Sequence, residues 1–260
     1  MAPHSSPRRA HSRARRAFSQ NFLSDPAAVH RFVDAADLGP DDLVYEVGAG
    51  RGQLTSALAK VCGQVIAYEV DPRMAAAVPA QHGVIVRTED FLRAADPGEP
   101  FSVAGNIPYS LTSAVIDWCL RAPSLRGATL LTQLEYARKR TGDYGRWSRL
   151  TISTWPEFEW WLAGRIARTS FRPVPRVDGG ILRLARRDVP LVPWRDLGVY
   201  RGFVEWGFTG VGGSLQATMA RRYGNRRVAA AFRATRLAAD RPVGEVWPEQ
   251  WLTLFRLLSR

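Results

Sequence analysis

The chain has 260 residues, 46% of them hydrophobic, enough for one α/β domain with a small appendage. Its net charge of +12 and pI of about 10.7 point to a polyanionic partner. Cys62 and Cys119 fall inside predicted helices without metal-ligand spacing and are expected to be reduced core residues; with no signal peptide, no long apolar run and no amphipathic lysine-rich surface helix, nucleic acid is favoured over membrane as the partner and a cytoplasmic chain is expected.

Among 36 basic residues only Lys60 and Lys139 are lysines. Arginine suits phosphate forks and stacking on bases, although a codon bias would give the same excess. Residues 1–17 form a basic low-complexity arm with Arg8, Arg9, Arg13, Arg15 and Arg16, too poor in apolar residues to fold alone. It is either a phosphate-holding arm or a solvated tail. Phe18 to Leu23 places two aromatics and a leucine around polar amides, as in a segment that folds back over a ligand, with Asn21 hydrogen-bonding to it. Ser24 or Asp25 then caps a helix that starts at Pro26 and runs to about Ala36.

Leu43 to Val47 is a buried strand that runs into Gly48-Ala49-Gly50-Arg51-Gly52, with a helix from Gln53. The spacing is G-x-G-x-G, not the G-x-G-x-x-G of dinucleotide sites, and Glu46 precedes it. That suits S-adenosylmethionine better than NAD: there is no pyrophosphate to cradle, and a carboxylate near the turn can meet a cationic ligand. Val65 to Asp71 is the second strand. Glu69 stands where such folds grip ribose hydroxyls, and Asp71 before Pro72 caps the next helix. Val84 to Val86 is the third, closed by Glu89-Asp90-Phe91. Asp90 and Phe91 there either meet an adenine or serve as a plain cap and a core aromatic.

Phe101 to Ala104 is a fourth strand, Gly105 follows, and Asn106-Ile107-Pro108-Tyr109 forms the turn before a helix over 111–120. Asn106 offers a carbonyl, Pro108 stiffens the turn and Tyr109 offers a flat face. Together they can hold a planar ring bearing an amine; an ordinary turn with a core tyrosine is the alternative. Ala128 to Leu134 is the fifth strand. The alternation predicts a doubly wound parallel sheet, Rossmann-like, in an α/β protein.

A basic helix carrying Arg138, Lys139 and Arg140 leads into the loop 141–149, where Arg146 and Arg149 mix with Tyr144 and Trp147. Splayed bases and phosphates favour such a mixture; a solvated loop is the alternative. Trp155 to Leu162 is an aromatic strand. Phe171-Arg172-Pro173-Val174-Pro175-Arg176-Val177-Asp178 is rigid and extended, and Phe171 can offer a second flat face opposite Tyr109. Gly180 to Leu184 is a last strand. Beyond Arg187 only helical patterns remain, over about 194–207, 214–222, 226–237 and 248–258, with Arg221, Arg222, Arg226, Arg227 and Arg233 on basic faces. The expected organisation is therefore a basic arm over 1–17, a catalytic domain over 18–187 and a small C-terminal all-helical RNA-binding domain over 188–260, with a cleft between the last two.

Ser-Gln-Asn-Phe-Leu, Glu-Val-Gly-Ala-Gly-Arg-Gly, the acidic end of the second strand, Glu-Asp-Phe, Asn-Ile-Pro-Tyr and Phe-x-Pro-x-Pro-x-Val occur in one order over nearly the whole chain. This set resembles the ribosomal RNA adenine N6-methyltransferases of the Erm and KsgA superfamily. The Ser-Gln-Asn-Phe start, Asn-Ile-Pro-Tyr and the Gly-Arg-Trp-Ser-Arg-Leu loop resemble the Erm branch, especially its arginine-rich actinobacterial type.

The resemblance implies S-adenosyl-L-methionine as methyl donor and an adenine of 23S rRNA as acceptor. The RNA would be met before full ribosome assembly, by a monomer, and the outcome would be resistance to macrolide, lincosamide and streptogramin B antibiotics. It places Asn21 and Leu23 near the methionine end of the donor and Gly48 and Gly50 under it. Glu69 and Val70 fall at ribose and adenine, Asp90 and Phe91 at the adenine. Asn106, Ile107 and Pro108 come to the reacting centre, and Tyr109 and Phe171 to the target base. No metal is implied. The rival expectations are a KsgA-like enzyme of small-subunit rRNA and a non-catalytic nucleic-acid-binding descendant of the fold. A nicotinamide dehydrogenase is disfavoured by the glycine spacing.

Overall fold

The computed structural model describes residues 21–259. The expected arm over 1–17 and residues Phe18 to Gln20 lie outside the described residues. In chain order the elements of the first half are β1 (Phe22–Leu23), α1 (Pro26–Ala36), β2 (Leu43–Val47), α2 (Gln53–Leu58), β3 (Gln64–Tyr68), α3 (Pro72–Ala75), β4 (Val84–Arg87), β5 (Phe101–Asn106), α4 (Thr112–Arg121) and β6 (Leu125–Gln133). They are followed by α5 (Leu134–Arg140), α6 (Arg149–Thr154), β7 (Phe158–Ile166), β8 (Phe171–Arg172) and β9 (Gly179–Arg186). The chain ends in α7 (Leu197–Phe208), α8 (Leu215–Tyr223), α9 (Asn225–Ala234) and α10 (Pro248–Leu258).

Local chemistry sets the element ends. Asp25 caps α1 by accepting the Ala27 N–H at 3.0 Å, with Pro26 in the first turn. The helix buries Ala28, Phe32, Val33 and Ala36, the stripe that a period of 3.6 puts on one face. Asp71 caps α3 in the same way, through the Arg73 N–H at 2.9 Å. Between β4 and β5 the chain makes only the short 3-10 turn Phe91–Arg93.

The main sheet has seven strands in the order β4-β3-β2-β5-β6-β9-β7. The pairs β3–β4, β2–β3, β2–β5 and β5–β6 are parallel. From β2 the chain winds outward through β3 and β4, then returns to β5 on the other side of β2. The carboxyl ends of β2 and β5 thus face the topological switch point, where open α/β sheets bind ligands. All five residues of β2 are buried, as expected for a strand covered on both faces. One core joins Val44, Val65, Ala67, Ala104 and Leu131 of the sheet to Phe32 and Leu58 of the helices.

A second, two-stranded sheet is absent from the sequence reading. β1 pairs antiparallel with β8, Phe22 opposite Arg172 and Leu23 opposite Phe171. Ser170 secures it: its carbonyl accepts from the Ser24 and Asp25 N–H groups at 2.9 and 3.2 Å, and its hydroxyl donates to Asp25 at 2.9 Å.

The chain divides into two compact units. One holds the chain up to Leu134 together with Leu162–Arg183; the other holds Glu135–Trp161 together with Leu184–Arg260. Residues 135–161, expected within the catalytic domain, therefore belong to the second unit. Its core gathers Ile152 with Tyr200, Phe203, Met219, Phe232, Trp251 and Phe255. The Tyr200 hydroxyl donates to the Ile152 carbonyl at 3.1 Å, and the Trp147 N–H donates to the Gly244 carbonyl at 2.6 Å. Such long-range pairings leave no local signal in the sequence. Among the described residues no helix is long and apolar enough to cross a membrane.

Candidate active site

An open cleft lies at the carboxyl ends of β2, β3 and β5, the place where open α/β sheets bind ligands. Its walls are Asn21 just before β1 and Phe22 within it, Gly48 and Gly50 after β2, Glu69 after β3, and the run from Asn106 at the end of β5 to Tyr109.

The glycine turn is pinned to the neighbouring strand. The N–H groups of Gly48 and Ala49 both donate to the Tyr68 carbonyl, at 2.9 and 3.1 Å. Gly48 and Gly50 have φ of 74° and 57°, a region that favours glycine. A Cβ on Gly48 would meet nothing within 4 Å, so that side of the turn is open space. A Cβ on Gly50 would come within 3.0 Å of the Phe22 ring, so the aromatic lies directly on the turn.

Glu69 is 2% exposed. One carboxylate oxygen accepts the Gly50 N–H at 2.8 Å and the other accepts the Asp71 N–H at 3.0 Å. The carboxylate is thereby fixed, and each oxygen keeps a lone pair for a further donor.

Asn106 ends β5. Its side-chain nitrogen donates to the Asn21 carbonyl at 2.6 Å, which leaves its oxygen as the acceptor for a ligand. The Ile107 N–H donates to the Leu131 carbonyl at 3.0 Å and ties the turn to β6. The Pro108 carbonyl accepts the Leu111 N–H at 2.8 Å. Tyr109 is half-buried, and its hydroxyl is shielded with no partner among the described residues. Burial, aided by the negative charge of Asp178, pushes that phenol above its ordinary pKa. What Tyr109 brings to the cleft is therefore its ring.

Residues 11–260 match the family described as ribosomal RNA adenine dimethylase. An rRNA adenine N-6-methyltransferase of Streptomyces fradiae is 54% identical over 95% of this chain and 79% of its own length. The mycinamicin-resistance protein MyrB of Micromonospora griseorubida is 35% identical over 94% of this chain and 78% of its own length. The crystal structure of the 23S rRNA methyltransferase ErmE matches with a TM-score of 0.87 and 48% identity, covering 92% of this chain and 100% of that one. The chain belongs to the ribosomal RNA adenine dimethylase family. Its α/β sheet and C-terminal helices are the ErmE-like methyltransferase fold.

For this family member, eight of the residues singled out in the sequence line one cleft: Asn21, Gly48, Gly50, Glu69, Asn106, Ile107, Pro108 and Tyr109. Phe22, one of the two aromatics in the segment expected to fold back over a ligand, lines it too.

Other expected residues are not among those lining the cleft. Leu23 is buried in the core, paired with Phe171. Phe171 is 1% exposed, and its ring packs where a Cβ on Gly179 would meet it at 3.1 Å. It does not open on the cleft as a second face opposite Tyr109, because the β1–β8 pairing turns it into the core. Val70 is exposed and lines no part of the cleft among the described residues. Asp90 caps the 3-10 turn through the Leu92 N–H at 3.0 Å. Phe91 is buried between Tyr68 and Trp118, at ring-centre distances of 5.7 and 4.5 Å. Glu46 is 1% exposed, and neither of its oxygens has a hydrogen-bond partner among the described residues. Burial pushes its pKa up to about 7; the adjacent Thr55 opposes the shift and the charge of Glu69 adds to it. It is not among the residues that line the cleft.

The basic residues lie in the second unit. Lys139, Arg146, Arg149, Arg221 and Arg222 are exposed. Arg138 stands 2.9 Å from the Asp143 carboxylate. Arg140 donates to the Ser148 hydroxyl at 2.9 Å and lies over the Tyr136 ring. Trp147, in the same loop, is half-buried: it packs against Trp155 and Trp247 and leaves no room for a side chain at Gly142. Among the described residues no group of three or more His, Cys, Asp or Glu could hold a metal ion.

Proposed function

We propose that this chain transfers a methyl group from S-adenosyl-L-methionine to the N6 amine of one adenine in 23S rRNA. The result would be resistance to macrolide, lincosamide and streptogramin B antibiotics. The observation that carries the reading is the orientation of Asn106: its nitrogen is held by Asn21, and its acceptor oxygen is left for an amine beside the glycine turn.

The residues present fit the methyl donor. Glu69 is a fixed, buried carboxylate with acceptor capacity left for ribose hydroxyls. Gly48 leaves open space where a side chain would obstruct, and the turn stands beside Asn106 along one cleft. When bound, S-adenosylmethionine supplies an electrophilic methyl group on a sulfonium.

The chain's own residues prepare the nucleophile. The N6 lone pair of adenine is delocalised into the ring, which makes the amine a poor nucleophile. Asn106 Oδ1 and the main-chain carbonyl of Ile107 accept its two N–H groups and favour a pyramidal nitrogen. Ile107 is preferred to Pro108 because the Pro108 carbonyl already accepts the Leu111 N–H. Tyr109 stacks on the base and offsets its unstacking by about 1–3 kcal/mol. Positioning is the main catalytic effect. The proton leaves afterwards to water. The exposed bases of the second unit hold rRNA phosphates before the ribosome is fully assembled. The protein acts as a monomer in the cytoplasm.

The test is transfer from labelled S-adenosylmethionine into purified 23S and 16S rRNA, followed by mass spectrometry of the nucleosides. Methylated adenosine from 23S rRNA alone is expected. Methylation of 16S rRNA alone would move the chain to the small-subunit activity, and transfer to neither would overturn the catalytic reading.

A further inference from the structure

Tyr144 occupies a backbone conformation that favours glycine. The loop after α5 turns at Gly142 and Gly145, with φ of 71° and 67°, and between them Tyr144 has φ of 64° and ψ of 18°. L-residues other than glycine, asparagine and aspartate rarely adopt this region. A ring buried in the core would account for the strain, but Tyr144 is 67% exposed. The ring of this loop that packs against the core is Trp147, half-buried on Trp155 and Trp247.

The ring is nevertheless held. The Arg138 guanidinium lies over it, 5.1 Å from the ring centre, and donates to its hydroxyl. Asp143 completes the clasp: its carboxylate stands 2.9 Å from Arg138 Nε and accepts the Tyr144 N–H at 3.0 Å. Residues 136–152 contain five basic residues and one acid, Asp143, and that acid is engaged with Arg138. Lys139 and Arg146, within five residues of it along the chain, are exposed. An exposed, pre-oriented aromatic face among cations is the arrangement that binds single-stranded nucleic acid, with bases on the ring and phosphates on the cations.

We infer that Tyr144 is a stacking platform for an unpaired RNA base other than the target adenine, with Lys139 and Arg146 on the flanking phosphates. The inference rests on the proposed reading of the partner as RNA and adds a second, non-reacting base contact.

The experiment measures binding of the full-length chain to two fluorescent RNAs in the presence of S-adenosylhomocysteine. One is a hairpin with an unpaired loop and the other a fully paired duplex of the same length. Tyr144→Ala should weaken binding to the hairpin by roughly 5- to 100-fold and to the duplex by less than about twofold. Tyr144→Phe should stay within about threefold of wild type, since stacking needs the ring alone. The slope of log affinity against log salt should not change for Tyr144→Ala. For Lys139→Gln it should fall by about 0.7–0.9 on both RNAs. Tyr144→Gly relieves the backbone, so it should melt no lower than wild type while binding the hairpin as poorly as Tyr144→Ala. Unchanged hairpin binding in Tyr144→Ala, equal losses on both RNAs, or a loss in Tyr144→Phe as large as in Tyr144→Ala would each overturn the platform. Wild-type preference between 23S- and 16S-derived hairpins tests the substrate assignment separately, and the variants are compared on whichever RNA wild type binds.

Discussion

The side-chain nitrogen of Asn106 donates a 2.6 Å hydrogen bond to the main-chain carbonyl of Asn21, 85 residues earlier in the chain. This bond decides which end of the amide faces the cleft. It also makes the short pairing of β1 with β8 part of the active site, because that pairing holds Asn21 in place. An amide free to rotate would present a donor to an amine donor half of the time.

Asn106→Ala should reduce the rate of transfer about 100-fold or more while the donor's dissociation constant stays within about threefold. Asn106→Asp keeps the size but sets an acceptor against the Asn21 carbonyl, and should lose as much. Single-turnover kinetics and calorimetry separate the two quantities. Near wild-type turnover in either variant would remove Asn106 from the reacting centre.

Tyr109→Phe removes a shielded hydroxyl that has no partner among the described residues. Burying such a group costs about 1–3 kcal/mol, so the variant should be at least as stable as wild type and nearly as active. Tyr109→Ala should lose about 10-fold or more in kcat/KM, as the stacking contribution requires. Equal losses in the two variants, read from initial rates, would assign the role to the hydroxyl instead.

Glu46 gives the protein a pH-dependent stability. Its carboxyl is raised from the ordinary 4.5 to about 7, so the folded state holds a proton that the unfolded chain has released. The native state is favoured below pH 4.5, and this contribution is lost as pH rises through about 7. At about 1.4 kcal/mol per pH unit the full effect is about 3 kcal/mol. Glu46→Gln should therefore melt higher than wild type at pH 8, with the gap closing towards pH 5. A gap independent of pH in thermal melts would mean that Glu46 is not the titrating group.

Gly48 and Gly50 both have positive φ, so alanine at either should cost about 1 kcal/mol or more of backbone strain. They differ in what the new methyl meets. At Gly48 it enters open space, so Gly48→Ala should weaken donor binding more than its stability loss suggests. At Gly50 it meets the Phe22 ring, so Gly50→Ala should cost more stability. Chemical denaturation beside donor titration checks the order; the reverse order would place the ligand elsewhere.

The parts legible in the sequence were those built by neighbours along the chain. A strand running into Gly48-Ala49-Gly50, an acid just past the next strand, and Asn106 before a proline are local patterns, and they meet in one cleft because parallel strands align their carboxyl ends. What escaped depends on distant partners. Phe171 looked like an open ring because nothing near it announces that it pairs with Leu23. Trp147 and Tyr144 sit three residues apart in one loop; tertiary packing alone half-buries the first against Trp155 and leaves the second exposed. Glu46, adjacent to the glycine turn in sequence, is buried because all of β2 is covered on both faces.

The most direct measurement is position-resolved mass spectrometry of 23S rRNA from a macrolide-susceptible bacterium expressing this chain, beside the Asn106→Ala variant. Wild type is expected to place N6-methylation on a single adenine of 23S rRNA and to raise macrolide tolerance, with neither effect in the variant. Unmodified 23S rRNA with wild type, or the same modified adenine with Asn106→Ala, would contradict the assignment.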